Sequence, residues 1–208
     1  RFESRGLGDV YKRQLFNAGT VIQWLRDGLQ IIDQAPQVNE LARSVPDSGG
    51  VMLVPAFTGW GTPHWDPQAR GVLVGLTRDS GRGHIARAAL EGIALSVATL
   101  VELAEQALGS GLGELAVDGG AAASDPLLQA QADCTGLTVR RPASLESTAR
   151  GVALFAGLQA GVISDLEQLA TARRDGAELF HPQMDASQRD RWRTRWQDAV
   201  SRSLGWHG

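Results

Sequence analysis

The most promising chemistry in this 208-residue sequence lies where two glycines follow a short apolar run. Glu114–Val117 is predicted to be a strand that continues into Asp118–Ala121 (Asp-Gly-Gly-Ala), and a helix is predicted near Pro126. Glycine has no Cβ, so a ligand can approach the backbone closely there. The helix start presents unpaired N–H groups and the positive end of a dipole, which suit phosphate. Ser124 or Asp125 is the expected N-cap. The pattern indicates a nucleotide or phosphate site, with an ordinary tight turn as the alternative.

A second group of chemically useful side chains lies in a glycine- and proline-rich loop, Ala56–Gln68. An aromatic and acidic cluster in such a loop can hold a small substrate. Aromatic residues there also serve to anchor a loop to the core, and Asp-Pro is a turn signal. Anchoring is the simpler interpretation of the four candidates, which are Trp60, His64, Trp65 and Asp66.

Several other motifs carry less chemistry. Gly109–Gly113 resembles a dinucleotide fingerprint, but it follows a predicted helix and precedes a strand, the reverse of a Rossmann turn. No Gly-Lys-Ser/Thr occurs, and the four histidines show no metal-ligand spacing. Cys134 falls among leucines of a predicted helix and is interpreted as a small core residue. A solvated helix surface is the interpretation of the C-terminal arginines Arg189, Arg191, Arg193 and Arg195.

Hydrophobic periodicity predicts an alternation of strands and helices, which is typical of an α/β domain. The final helix is expected to carry a capping box formed by Ser187 and Asp190. One domain is the simplest count. The predicted helices are Ala18–Ile32, a short helix within Pro36–Gly50, His84–Leu108, Pro126–Cys134, Thr148–Gly161 and Ser187–Leu204. The predicted strands are Val51–Pro55, Gly71–Leu76, Glu114–Val117 and Thr138–Arg140.

Composition excludes several classes of protein. The net charge is −3, which argues against a nucleic-acid partner because such proteins usually present a basic face. No run of 18 apolar residues occurs, so no membrane span is expected. The single cysteine excludes an internal disulfide, which fits a reducing compartment such as the cytoplasm.

The first fourteen residues differ in composition from the rest. The single lysine, Lys12, and the single tyrosine, Tyr11, both lie in this segment. Asp9–Gln14 reads DVYKRQ, which resembles the translated mosaic-end adapter of transposase-based sequencing libraries. We therefore expect Arg1–Gln14 to be a sequencing artefact and Leu15 to lie within a longer natural chain.

Several segments together resemble the FGGY-type carbohydrate kinases. The pattern GVLVGL, seven residues, then HIxxAALE (Gly71–Glu91) is similar to a signature of that family. Within that family, Val54–Gly71 is most similar to the members that act on glycerol. Further matching segments are Ala18–Asp27, the VDGGA turn, Ala149–Gly161 and Trp192–Val200, so the resemblance covers about residues 15–204.

The resemblance implies an actin/Hsp70/sugar-kinase (ribonuclease H-like) fold, with residues 15–208 forming the C-terminal half of a two-domain kinase. It also implies ATP and Mg²⁺ as cofactors. The positions that match the family's nucleotide contacts are Gly19, Gln23, Gly120 and Ser124, where Ser124 stands in place of a usual Asn. The serine hydroxyl lacks the paired donors and acceptor of an amide.

The same resemblance assigns the remaining chemistry to a missing N-terminal domain. It places the catalytic Asp, the groups that hold the polyol and a phosphate loop upstream of Leu15, so no catalytic residue is expected in this chain. The parent would phosphorylate glycerol to glycerol 3-phosphate in the cytoplasm, and copies of it would form oligomers. Another kinase of the family, acting on a pentulose or a different polyol, is an alternative. A third hypothesis is that the chain belongs to a non-catalytic, actin-like nucleotide-binding module.

Overall fold

The computed structural model describes residues 17–163 and 176–206. Its helices are α1 (Gly19–Gln23), α2 (Gln37–Arg43), α3 (Arg82–Leu108), α4 (Asp125–Thr135), α5 (Ser147–Gln159) and α6 (Ala186–Ser201). Its strands are β1 (Met52–Val54), β2 (Val72–Val74), β3 (Glu114–Ala116), β4 (Thr138–Arg141) and β5 (Glu178–Phe180). A π-helical turn (Trp24–Gly28) continues α1, and a 3₁₀ turn (Gly120–Ala123) precedes α4.

Helix α3 is the centre of the main core. Its apolar side chains recur with the helical period, and it packs against α2, α4 and β1. It ends at Gly109, whose φ of 67° is the left-handed conformation that glycine adopts without steric cost. By length and composition, α3 would be able to cross a membrane. Most of its apolar residues are nevertheless buried or partly buried against neighbouring elements, which is the packing of a core helix.

Gly92 allows α3 to approach strand β1 at very short range. A Cβ added to Gly92 would lie 2.1 Å from the carbonyl oxygen of Leu53. Any side chain at this position would therefore displace the helix from the strand. This contact explains on packing grounds why a glycine follows Glu91 in the signature-like segment.

The strands form two small sheets. Strands β1 and β2 pair antiparallel, with Leu53 opposite Leu73. Strands β3 and β4 pair parallel, and α4 provides the connection between them. Strand β5 adds antiparallel to β4, giving the order β3-β4-β5. A second cluster of buried residues, Leu128, Ala132 and Val139, joins α4 to this sheet. The alternation predicted from the sequence is confirmed, but β5 was not predicted.

The first predicted helix is shorter than expected. Regular α-helix covers only Gly19–Gln23 of the predicted Ala18–Ile32, and the chain then forms the π turn. Gly28 lies against the ring of Trp24, so close that a Cβ would be 2.8 Å from Trp24 Cδ1. Gln30 then adopts a positive φ of 53°, which ends the helical path.

The final helix begins with a different capping box from the predicted one. Asp185 is the N-cap, and its carboxylate accepts a hydrogen bond from the Gln188 N–H at 2.8 Å. The Gln188 side chain accepts in return from the Asp185 N–H at 3.2 Å. The predicted pair, Ser187 and Asp190, is therefore wrong because the helix starts one residue earlier, at Ala186.

Three of the C-terminal arginines hold α6 to the rest of the molecule. Arg189 donates to the Asp133 carbonyl at 2.8 Å, Arg193 to the Cys134 carbonyl at 2.9 Å and Arg195 to the Gly50 carbonyl at 2.9 Å. The expectation of a solvated helix surface is confirmed for the exposed Arg191 and Arg195, whereas Arg189 and Arg193 are partly buried. Carbonyl groups left free at the end of α4 provide acceptors that periodicity cannot reveal.

Candidate functional site

The turn after β3 keeps the glycine backbone open. The Val117 N–H donates to the Arg140 carbonyl at 3.0 Å, and the Gly119 N–H donates to the Leu145 carbonyl at 3.0 Å. Gly119 has a φ of 79°, a conformation that other residues rarely adopt. A Cβ at Gly119 or Gly120 would meet no atom within 4 Å. The space in front of these residues is therefore free for another molecule.

Ser124 forms the N-cap of α4, as the sequence predicts. Its Oγ accepts a hydrogen bond from the Leu127 N–H at 3.3 Å. The same hydroxyl donates to Oδ1 of Asn39 on α2, at 2.6 Å. Pro126 lies in the first turn, where its missing N–H costs nothing. Ser124 therefore links the start of α4 to a helix that lies 85 residues away in sequence.

A cleft of about 180 Å³ opens at this junction. It is smaller than the roughly 300–1,000 Å³ of pockets that hold drug-sized ligands, so it suits one part of a nucleotide, such as the base. Its wall is apolar except for the side chains of Asn39 and Ser124. The lining residues are Ala18, Ile22, Ala35, Pro36, Val38, Asn39, Leu90, Ile93, Gly120, Ala121, Ala123, Ser124 and Leu127.

The cleft contains two of the four residues expected to contact a nucleotide. Gly120 and Ser124 line it, whereas Gly19 and Gln23 do not. Gly19 and Gln23 are exposed on α1, directly after the lining residues Ala18 and Ile22. A Cβ at Gly19 would also meet no atom within 4 Å. The fold thus brings the two segments together, and the four assignments remain predictions.

Asn39 is the site residue that sequence reasoning missed. It lies in the short helix α2, in a segment that carries no local motif. Its position beside Ser124 depends on the packing of α2 against α3 and α4. The one hint in the sequence is the amide side chain of Asn39 within a predicted short helix, and an isolated amide does not indicate a ligand.

A larger cleft, of about 600 Å³, lies on another side of α4. Several of its charged side chains form ion pairs with one another. Arg43 pairs with Asp125 at 3.1 Å, and Arg87 pairs with Glu91 at 3.0 Å. The small cleft has no charged lining residue, so the two clefts differ in chemistry. The glycine turn borders only the smaller one.

The loop 56–68 is built mainly as a structural connection. Trp60 is buried, and its ring lies beside that of Trp196 with 6.0 Å between centroids. The Asp66 carboxylate accepts from the Gln68 N–H at 2.8 Å and from the Gly205 N–H at 2.6 Å. The anchoring interpretation is confirmed for Trp60 and Asp66. Trp65 differs, since its side chain is 53% exposed.

Two further side chains have pKa values shifted by their surroundings. Burial lowers the pKa of His64, and the nearby Asp66 carboxylate opposes this effect. Burial also raises the pKa of the Cys134 thiol to about 12. Cys134 is completely buried, which confirms its assignment to the core. Within the described ranges, no group of three or more His, Cys, Asp or Glu residues is placed to hold a metal ion.

Taken together, the fold and the glycine-bordered cleft define a domain of the actin/Hsp70/sugar-kinase class. The chain superimposes on the Plasmodium falciparum glycerol kinase solved with ADP, with a TM-score of 0.82 and 30% identity. That match covers 89% of this chain and 37% of the other. A xylulose kinase from Rhodospirillum rubrum matches with a TM-score of 0.69 and 25% identity, over 88% of this chain and 37% of the other.

The chain belongs to the FGGY family of carbohydrate kinases. Residues 10–160 match the C-terminal domain of that family. The sequence is 52% identical to the glycerol kinase of Aromatoleum aromaticum over 192 residues, which is 92% of this chain. The chain spans only 38% of the length of that relative. It therefore aligns with only part of the length of that relative.

Proposed function

We propose that this chain is the nucleotide-binding side of an ATP-dependent kinase that phosphorylates glycerol to glycerol 3-phosphate. The observation that carries the proposal is the apolar cleft bordered by the open Gly119-Gly120 turn. The fold of the chain resembles that of a glycerol kinase that was solved with ADP, with a TM-score of 0.82 over 89% of this chain. An apolar wall suits a purine base, and an open glycine backbone allows phosphates to approach.

In this proposal the residues of the chain bind and orient the nucleotide. Gly120 and Ser124 contact it in the cleft, and Gly19 and Gln23 contact it from the exposed side of α1. Mg²⁺ neutralises phosphate charge when it is bound with the nucleotide, as phosphoryl transfer requires. The group that takes the proton from the glycerol hydroxyl, and the groups that hold glycerol, belong to the part of the kinase outside this chain.

An uncovered apolar face supports a large missing partner within the same enzyme. Helix α5 has no buried residue, and its side chains of Val152 and Phe155 are 67% and 73% exposed. Strand β3 lies at the edge of its sheet. Faces of this kind are normally covered. We assign them to contact with the remaining part of the parent enzyme, which acts in the cytoplasm and forms oligomers.

Glycerol is favoured over a pentulose by the comparisons with solved structures. The glycerol kinase resembles this chain more than the xylulose kinase does, with a TM-score of 0.82 against 0.69. The 52% identity to the Aromatoleum aromaticum glycerol kinase points the same way.

The test uses the parent enzyme recovered from the source DNA. Purified enzyme is assayed with ATP and Mg²⁺ against glycerol, erythritol, xylulose and ribulose, with product identified by mass spectrometry. We expect glycerol 3-phosphate as the main product, and no product from the 208-residue chain alone. A pentulose phosphate as the main product contradicts glycerol specificity. ATP binding without any phosphorylated acceptor supports a nucleotide-binding module that is not a kinase. Product formation by the 208-residue chain alone contradicts the proposal that the proton-accepting and glycerol-binding groups lie outside this chain.

A further inference from the structure

We propose that Asn39 reads the edge of the adenine base, and that Ser124 acts as the positioning residue that orients its amide. This inference rests on the proposed function, since it takes ATP as the ligand of the small cleft. It goes further by naming the group that distinguishes adenine from other purines.

The composition of the cleft wall leaves few groups for base recognition. Among the thirteen lining residues, only Asn39 and Ser124 have polar side chains. The other lining side chains offer apolar surface, which stabilises a flat ring without distinguishing one purine from another. Specificity for the base must therefore come from Asn39, Ser124 or backbone groups.

The hydroxyl of Ser124 is already engaged. Its proton goes to Asn39 Oδ1 at 2.6 Å, and one of its lone pairs accepts from the Leu127 N–H at 3.3 Å. A serine hydroxyl has one proton to donate. Ser124 therefore has no donor left for a ligand while this arrangement holds.

The Asn39 amide keeps the complementary groups. Its Oδ1 accepts from Ser124 and has a second lone pair, and Nδ2 makes no hydrogen bond to another residue in the described part of the chain. The bond from Ser124 fixes which end of the amide lies toward α4. Asn39 thus presents one acceptor and one donor side by side in an otherwise apolar cleft.

This pair of groups matches adenine. An asparagine amide bonds to adenine in a bidentate manner, accepting from the 6-amino group and donating to N7. Guanine presents two acceptors, O6 and N7, at the same edge, so its O6 would face the amide oxygen. The arrangement therefore favours ATP over GTP. In this arrangement α2 provides the amide that is lacking at position 124, where the sequence has serine.

The test measures KM and kcat of the parent enzyme with ATP, GTP and purine riboside triphosphate, which lacks the 6-amino group. We expect Asn39→Ala and Asn39→Asp to raise the KM for ATP about ten-fold with little change in kcat. Loss of the 6-amino group should raise the KM of the wild-type enzyme similarly, and should have little further effect in the variants. Asn39→Asp keeps the acceptor for Ser124, so it remains informative if Asn39→Ala folds poorly.

Ser124 provides the matched comparison. Ser124→Ala removes the hydroxyl that orients Asn39 and should reduce the preference for ATP over GTP. Ser124→Thr keeps the hydroxyl and should keep the preference of the wild-type enzyme. Unchanged discrimination in both Asn39 variants overturns the inference while leaving the proposed function intact. Failure of the wild-type enzyme to use or bind any purine triphosphate overturns both, so the two failures are distinguishable.

Discussion

At the scale of single residues, several acidic side chains of this chain accept hydrogen bonds from its own backbone. The Asp133 carboxylate accepts from the N–H groups of Gln183 and Met184 at 2.6 and 3.2 Å. The Asp66 carboxylate binds two backbone N–H groups in the same way. Because these oxygens already accept hydrogen bonds, the carboxylates serve structure.

Cys134 should be unreactive toward thiol reagents in the folded chain. It is buried, its Sγ donates to the Ala94 carbonyl at 3.3 Å, and burial raises its pKa to about 12. The reactive thiolate is therefore scarce at pH 8. We expect labelling by a disulfide reagent to be slow in buffer and complete in denaturant. A Cys134→Ala, Ser110→Cys variant is the control, since its cysteine lies in an exposed loop and should react at once. Rapid labelling of folded wild-type protein would contradict the prediction.

Glu91 should make the chain less stable as the pH rises. Burial raises the pKa of this carboxyl, and the hydrogen bond from Arg87 at 3.0 Å opposes the shift only in part. The folded chain therefore holds the proton more tightly than the unfolded chain. Protonation stabilises the fold at low pH, and this contribution is lost as the pH rises from the ordinary glutamate pKa through the raised one.

The measurement for Glu91 is the free energy of unfolding in urea at several pH values between 4 and 7. Glu91→Gln, which stays neutral, should show a smaller decrease over this range than the wild type. Glu40→Gln is the control, because Glu40 is exposed and its removal should not alter the slope. Equal slopes for the wild type and Glu91→Gln would show that Glu91 does not contribute.

At the scale of elements, the contact between α3 and β1 requires glycine at position 92. Gly92→Ala would place a methyl group 2.1 Å from the Leu53 carbonyl oxygen, so helix and strand must separate. We expect a loss of stability of about 3 kcal/mol, within the range for overpacked sites. Gly151→Ala in α5 is the matched control, since its Cβ meets nothing within 4 Å. It should stabilise the helix by up to about 1 kcal/mol. Urea denaturation of both variants tests the difference, and similar values would contradict it.

The boundaries of several elements depend on contacts that no local pattern contains. The π turn after α1 brings Gly28 against the Trp24 ring. Strand β5 is three residues long, and its antiparallel pairing with β4 defines it as a strand. Helix α3, by contrast, agrees with its predicted span to within two residues, because its periodic apolar face is long.

At the scale of the whole molecule, the uncovered face of α5 should limit the solubility of the isolated chain. Phe155→Ser removes the most exposed aromatic side chain of α5, at 73% exposure. We expect the variant chain to remain monomeric at concentrations where the wild type aggregates, as measured by light scattering. In the parent enzyme the same substitution should lower the thermal midpoint if the proposed contact covers this face. Exposed Trp206→Ser is the control and should not destabilise the parent. No loss of stability in the Phe155→Ser parent would argue that α5 does not contact the rest of the enzyme.

Features that arise within a few neighbouring residues could be predicted from the amino-acid sequence. These include the α/β alternation, the long helix α3, the glycine turn after β3 and the Ser124 cap, each of which follows from local periodicity or capping chemistry. The four nucleotide-site assignments also came from the sequence, through resemblance to a family. The tertiary structure placed Gly120 and Ser124 in the cleft and left Gly19 and Gln23 beside it.

Contacts between distant residues, by contrast, could not be predicted before the fold was known. The tertiary structure brought Asn39 to Ser124, attached three arginines of α6 to free carbonyls and left one face of α5 uncovered. Local propensity acts over one or two helical turns, whereas a contact across 85 residues depends on how whole elements pack. The parts of the site that consist of turns and helix caps can therefore be predicted from the sequence. The parts that consist of packed helices depend on the fold.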